Sequence, residues 1–176
     1  YDGVSLARVY EQGLQGINDN LGELSRLAVA AGNGIYGTQE RSALQAEAAQ
    51  YTANIQQVID STEFAGKKLF NQDGALSFGT GSGSLSFSTA DVAAGLTAQN
   101  VFSIDLTSVD SAAASLSSIQ QSRDYISALQ ADAGASINSF SSAASNLNGQ
   151  QIAQSAARSR IEDLDFARAS SDKAAA

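Results

Sequence analysis

The sequence predicts a mainly α protein: an elongated antiparallel three-helix rod with coiled-coil-like packing and a small β-hairpin region at one end. Three observations predict it. Two stretches at the start of the chain and one at its end carry apolar or small residues at alternating spacings of four and three, the repeat of a helix that buries one narrow stripe. Between them lies a segment in which apolar and polar residues alternate, the period of a strand. None of the 176 residues is proline, so no long helix need be broken.

Residues 3 to 31 place Gly3, Ala7, Tyr10, Leu14, Ile17, Leu21, Leu24, Ala28 and Ala31 on one seam. At 1.5 Å per residue this is about 43 Å of helix. Gly32-Asn33-Gly34 supplies the residues tolerant of left-handed backbone that end it. Thr38 is the expected cap of a second helix, with Glu40 favourably placed in its first turn. Its seam runs through Leu44, Ala48, Tyr51, Ile55, Val58 and Thr62, and the short link makes the two helices antiparallel neighbours. Tyr10 and Tyr51, both on seams, read as core.

The period changes after residue 62. "ALSFGT" and "SLSFST" flank Gly81-Ser82-Gly83, a hairpin signal. "VFSIDL" at 101 to 106 is a third predicted strand. So few strands cannot stand alone, and the region is expected to lean on the helices through Phe78 and Phe87.

Thr107-x-x-Asp110 resembles a capping box. After it the heptad returns at Ala112, Leu116, Ile119, Arg123, Ile126, Gln130, Ala133, Ile137, Phe140, Ala144 and Leu147. The expected organisation is therefore amino-terminal rod helices over 1–62, a β-hairpin region over 63–106, a long carboxy-terminal rod helix over 107–158, and the start of a terminal segment over 159–176.

Composition narrows the chemistry. Ten basic and eighteen acidic residues give a formal charge of −8, which repels a nucleic-acid backbone. Cysteine and histidine are both absent, removing thiolate nucleophiles, the commonest metal ligand and the usual proton carrier near neutral pH. No calcium loop, phosphate-binding glycine-lysine motif or nucleophile elbow is present. The reading is therefore a non-enzyme with no cofactor, no metal site and no nucleic-acid partner. No apolar run approaches the roughly 20 residues needed to span a bilayer, so membrane insertion is not expected. The chain opens at Tyr1 with amphipathic pattern almost at once, and reads as an excerpt from a longer protein.

One stretch resists this bland account. "RSRIEDLDFARA" at 158 to 169 packs three arginines and three carboxylates together. Residues alone offer a solvated, self-paired helix face, a contact between copies, or an active site. The last has no nucleophile or ligand elsewhere to support it.

Taken together, "DGVSLARVYEQGLQGINDNLGELSRLAVAAGNG" (2 to 34), "QAEAAQYTANIQQVIDSTEFAGKKLF" (45 to 70) and "AARSRIEDLDFA" (156 to 167) resemble bacterial flagellin. The order of the three is also the family's order. Ala65 stands where the family usually has asparagine, and Phe166 where it has tyrosine. The resemblance implies a structural subunit of the bacterial flagellar filament, self-assembling for motility. Its partners would be other subunits in a homopolymer and the flagellar export and capping machinery, and its location extracellular.

The same resemblance assigns roles to residues. Arg158, Arg160, Ile161, Glu162, Asp163 and Asp165 look like the family signature at the junction of the rod and the terminal segment. Independently of the resemblance, the seam spacing places helix-packing core at Tyr10, Leu14, Ile17, Leu21, Leu24, Leu44, Tyr51, Ile55, Val58, Leu116, Ile119, Ile126, Ile137, Phe140 and Leu147. In many flagellins the rod is also bound by the vertebrate innate receptor Toll-like receptor 5, and Leu27, Leu44 and Glu47 match the contact positions there. Glu23 stands where receptor-binding members usually carry arginine, a charge reversal that should weaken the contact. A flagellin-like adhesin or polysaccharide receptor at the cell surface, and a protein of the hook–filament junction, are the alternative readings. Most of both terminal segments would be missing, so the fragment is not expected to polymerise alone.

Overall fold

The computed structural model describes residues 2–79 and 84–175. Helix α1 (Asp2–Ala31) runs straight into a short link and helix α2 (Thr38–Ser61) returns beside it. Strands β1 (Glu63–Phe64) and β2 (Lys67–Lys68) form a minimal hairpin, and β3 (Gly74–Gly79) with β4 (Ser84–Thr89) a longer one. Helix α3 (Val92–Ala98) and a 3-10 turn (Val101–Ser103) lead into α4 (Val109–Ala175), a single helix of 67 residues, about 100 Å long at 1.5 Å per residue.

The rod is organised around α1. It packs along both α2 and α4, while those two approach each other only marginally. Consequently α1 buries two adjacent lines of side chains where one narrow seam was expected. Tyr10, Leu14, Ile17, Leu21, Leu24, Ala28 and Ala31 are buried, and so are Leu6 and Leu27, which complete a second stripe. The register against α4 is antiparallel: Gly3 lies against Phe140 and Gly22 against Arg123. An amide chain fixes it part-way along. Asn18 Nδ2 donates to Gln130 Oε1 (3.3 Å), Gln130 Nε2 to Gln15 Oε1 (2.9 Å), and Gln15 Nε2 to Asp19 Oδ1 (2.7 Å).

In α2 only Ala48, Ile55 and Ile59 are fully buried. Leu44, Tyr51 and Val58 are packed against the core with part of their surface exposed. In α4 the buried line runs through Ala112, Ser115, Ile119, Ser122, Ile126, Ala133 and Phe140. Leu116 and Ile137 flank it, half-buried. Arg123, expected on the seam, is exposed; Ser122 takes the inward place because its hydroxyl is satisfied by the Ser118 carbonyl at 2.8 Å, so no charge has to be buried. Gln130 is half-buried in the amide chain. The side chains of Ala144 and Leu147 lie outside the described set.

Two caps differ from expectation by one residue. Gly37, not Thr38, is the N-cap of α2, and the Glu40 carboxylate accepts its backbone N–H at 3.1 Å. At α4 the exchange is between Ser108 and Ser111, each hydroxyl accepting the other's backbone N–H, while Thr107 donates both its N–H and its hydroxyl to Asp105.

The β3–β4 register pairs Gly74 with Thr89 through to Gly79 with Ser84, and Leu76 faces Phe87. The Gly81-Ser82-Gly83 turn and the Phe78 side chain lie outside the described residues. "VFSIDL" is not a strand. Val101, Ile104 and Leu106 are buried, but the backbone there finds side chains instead of a neighbouring strand. Gln45 donates to the Ile104 carbonyl (3.0 Å) and accepts the Leu106 N–H (2.6 Å); Ser115 bonds both the N–H and the carbonyl of Asp105, each at 3.1 Å. With its polar groups satisfied in this way, the segment can be buried without a ladder.

Candidate functional site

An aromatic cluster anchors the β-region to the rod. Tyr10 on α1 packs on Phe70 at a centroid separation of 5.1 Å and meets Phe87 of β4 edge-on at 5.2 Å. Phe87 in turn lies 6.3 Å from Phe140 of α4. All four are fully buried. Such pairs add about 0.5–1.5 kcal/mol beyond their buried area. The Tyr10 hydroxyl accepts the Ala90 N–H at 3.2 Å. Burial pushes its pKa above the usual tyrosine value, in spite of the opposing effect of that hydrogen bond. Two glycines make the close approach possible. A Cβ on Gly13 would lie 2.6 Å from the Phe70 ring, and one on Gly3 3.1 Å from Phe140.

Beside the cluster, β4 and α4 leave an open groove of about 340 Å³. Its lining is mostly hydroxyl-bearing and small: Ser86, Ser88, Thr89, Ala133 and Ser136, with Asp132 the one charged group. Across α3, Asp91 caps the helix by accepting the Ala94 N–H at 2.9 Å, and its own N–H donates to Asp73 at 2.9 Å. Tyr125, packed against Gly95, has its pKa raised by burial and, to a smaller extent, by Asp73 and Asp91. Among the described residues no three Asp or Glu side chains are arranged to hold a metal ion.

Of the residues matched to a receptor surface, Glu23 and Glu47 are brought together, whereas Leu27 is buried. Arg26 links Glu23 (3.0 Å) to Glu47 (3.5 Å) across α1 and α2, and the guanidinium's affinity for its proton is raised chiefly by Glu23. All three are solvent-facing, so the pairing contributes little to stability. Leu27 corrects the expectation. It is 0% exposed, filling the second stripe of α1, and offers no surface to a partner; Leu44 is half-buried.

Arg158, Arg160, Ile161, Glu162, Asp163 and Asp165 lie within α4, which continues through them without a break to Ala175. Their side chains are outside the described set. Positions 158, 162 and 165 share one helix face by spacing.

The outward faces of the rod are the remaining feature. On α2, Ala43, Ala46, Ala49 and Ala53 are exposed, and on α4, Ala114, Ser117, Ala128, Ala131 and Ala135. Most of the large apolar side chains left in solvent lie around the α1–α2 link and the start of α4: Ile35 (83% exposed) and Tyr36 in the link, Val29 just before it, Phe102 in the 3-10 turn and Val109 at the first residue of α4; Ile152, far along α4, is exposed as well.

The described residues form an elongated rod of helices whose outer flanks are largely alanine, serine and glutamine. Residues 1–75 match the family described as bacterial flagellin N-terminal helical region, and residues 116–176 match bacterial flagellin C-terminal helical region. The chain belongs to the bacterial flagellin family. Curated relatives include a flagellin of Serratia marcescens, 36% identical over 80 residues, covering 46% of this chain and 23% of that one. Another is a B-type flagellin of Pseudomonas aeruginosa, 39% identical over 94 residues, covering 52% of this chain and 18% of that one. The chain thus spans about a quarter or less of the length of these relatives.

Solved structures share the fold. The crystal structure of Bacillus cereus flagellin superposes with a TM-score of 0.72 at 21% identity, over 84% of this chain and 85% of that one. FliC from Burkholderia pseudomallei superposes with a TM-score of 0.65 at 16% identity, over 78% and 99% respectively.

Proposed function

We propose that this chain is the rod of a structural subunit of the bacterial flagellar filament, assembling with copies of itself outside the cell. The observation that carries the reading is the pair of unburied flanks. Because α1 alone fills the space between α2 and α4, each outer helix keeps a face free, and on both faces the exposed residues are largely alanine, serine and glutamine. Short side chains let neighbouring helices approach closely and cost little side-chain entropy on ordering. The apolar end around Ile35, Tyr36 and Phe102 supplies a further contact along the filament axis.

Electron microscopy of the full-length chain tests this. Filaments are expected from the parent sequence. Ala53→Arg and Ala128→Arg place long cations on the two flanks and should block or destabilise filaments while leaving helical content unchanged by circular dichroism. Filaments of normal stability from both variants would overturn the reading.

The finer partners belong to the same proposal. Delivery through a flagellar export apparatus and growth under a capping protein follow from a filament role. Binding to a vertebrate innate receptor should be weak, because Glu23 and Glu47 share one arginine and the surface is net negative. Glu23→Arg is expected to raise the response in a receptor reporter assay; an unchanged response would remove Glu23 from the account.

A further inference from the structure

The chain contains two Asn-Gly pairs, Asn33-Gly34 and Asn148-Gly149, and the fold treats them differently. The first sits in the exposed link between α1 and α2, the second inside α4. We propose that Asn33 is a site of spontaneous deamidation that converts it to aspartate and isoaspartate, while Asn148 is protected by its helix.

The reaction needs the backbone nitrogen of the following residue to reach the side-chain carbonyl carbon. Asn33 Oδ1 accepts the Ile35 N–H at 3.1 Å, an Asx turn that folds the side chain back across the Gly34 peptide and polarises the Cγ carbonyl. The neighbouring bonds run from Asn33 N to the Ala30 carbonyl and from Tyr36 N to the Asn33 carbonyl, leaving the Gly34 N–H out of the network. Gly34 presents no side chain, and a Cβ built there meets no atom within 4 Å, so solvent base has access to its N–H. Once that proton is lost, the Gly34 nitrogen attacks Asn33 Cγ. The N–Cγ bond forms, the Cγ–Nδ2 bond breaks, and ammonia leaves. Water then opens the cyclic imide at one of its two carbonyls, giving aspartate or isoaspartate. In α4 the ladder engages the residue 149 N–H and holds residue 148 at helical ψ, which turns the nucleophile away from attack.

The product bears on the rod. Arg41 holds the link by donating Nε to the Ala31 carbonyl and Nη2 to the Asn33 carbonyl, both at 2.9 Å. Isoaspartate inserts one main-chain atom between residues 33 and 34 and sets a new carboxylate near the negative end of the α1 dipole. The geometry of the clamp has to change, at the same end of the rod that carries Ile35 and Tyr36.

Incubating the folded protein in mildly alkaline buffer and mapping peptides by mass spectrometry, with isoaspartate resolved by fragmentation, tests the proposal. Conversion is expected at Asn33 and not at Asn148. Gly34→Ala, which the open space accommodates, should slow it by on the order of tenfold or more. In denaturant both pairs should react at similar rates. Equal native rates at the two sites, or an unchanged rate in Gly34→Ala with circular dichroism intact, would overturn it.

Discussion

Ala65 occupies a backbone position that alanine does not favour. The β1–β2 hairpin turns on two residues, Ala65 at φ 53° and Gly66 at φ 80°, the pair of positive angles that a tight hairpin of this hand demands. Glycine meets the demand without strain, whereas an L-residue with a Cβ pays roughly 1–2 kcal/mol, relieved only for asparagine or aspartate. Ala65→Asn should therefore stabilise the protein by about 1 kcal/mol, which raises the melting temperature by roughly 2–4 °C in a chain of this size. Ala65→Gly should gain less, because glycine also frees the unfolded chain by about 0.5–1 kcal/mol. Ala65→Val should lose stability, a β-branched side chain being worse still at positive φ. The strain is coupled to the whole rod, since the hairpin delivers Leu69 and Phe70 into the core and returns the Leu69 N–H to the Thr62 carbonyl at 3.2 Å. Thermal unfolding followed at the helical circular-dichroism band measures all three. If asparagine gives no gain, or valine matches alanine, residue 65 does not adopt the left-handed conformation and the reasoning fails.

Three more outcomes follow from packing and ionisation. Gly13→Ala puts a Cβ 2.6 Å from Phe70, and overpacking of about 1–3 kcal/mol should exceed the helix-propensity gain of up to about 1 kcal/mol; Gly16→Ala, whose nearest neighbour is Val58 at 3.7 Å, should stabilise, and denaturant melts of the two read the contrast. Gln45→Ala strands the Ile104 carbonyl and the Leu106 N–H, at a cost of about 1–3 kcal/mol and with faster hydrogen exchange over residues 101–108. Tyr10 and Tyr125 both bind their protons more tightly when folded. Their contribution to stability is therefore complete below the unfolded tyrosine pKa of about 10, and falls as pH rises from there through the folded values. Alkaline melts monitored beside phenolate absorbance should show the two declining together.

The long helices were legible because each repeats its seam over several turns, and the β3–β4 pairing because Leu76, Phe78, Leu85 and Phe87 alternate. What escaped was set by partners distant in sequence. One helix's pattern does not say how many neighbours it has, so Leu6 and Leu27 were not recognised as a second stripe, and Leu27 was assigned to a surface it does not reach. "VFSIDL" alternates like a strand, yet Gln45 and Ser115, 59 and 10 residues away, satisfy its backbone. Helix α3 is only seven residues long, too short for its period to be separated from that of a buried strand. Ser115 and Ser122 carry no apolar signal and still lie inward, because each hydroxyl finds a carbonyl. The charged run at 158 to 169 could not be decided by residue chemistry; it took its meaning from resemblance, and the backbone adds only that α4 passes through it unbroken.

The β3–β4 hairpin is moored near its root: Phe87 is sunk in the rod, and the pairing continues outward from it to Gly79 and Ser84. Length added between those two strands would ride beyond the mooring, transmitting little load to the shaft. A foreign peptide spliced there could be displayed on every copy of a fibre while the shaft keeps its own melting point.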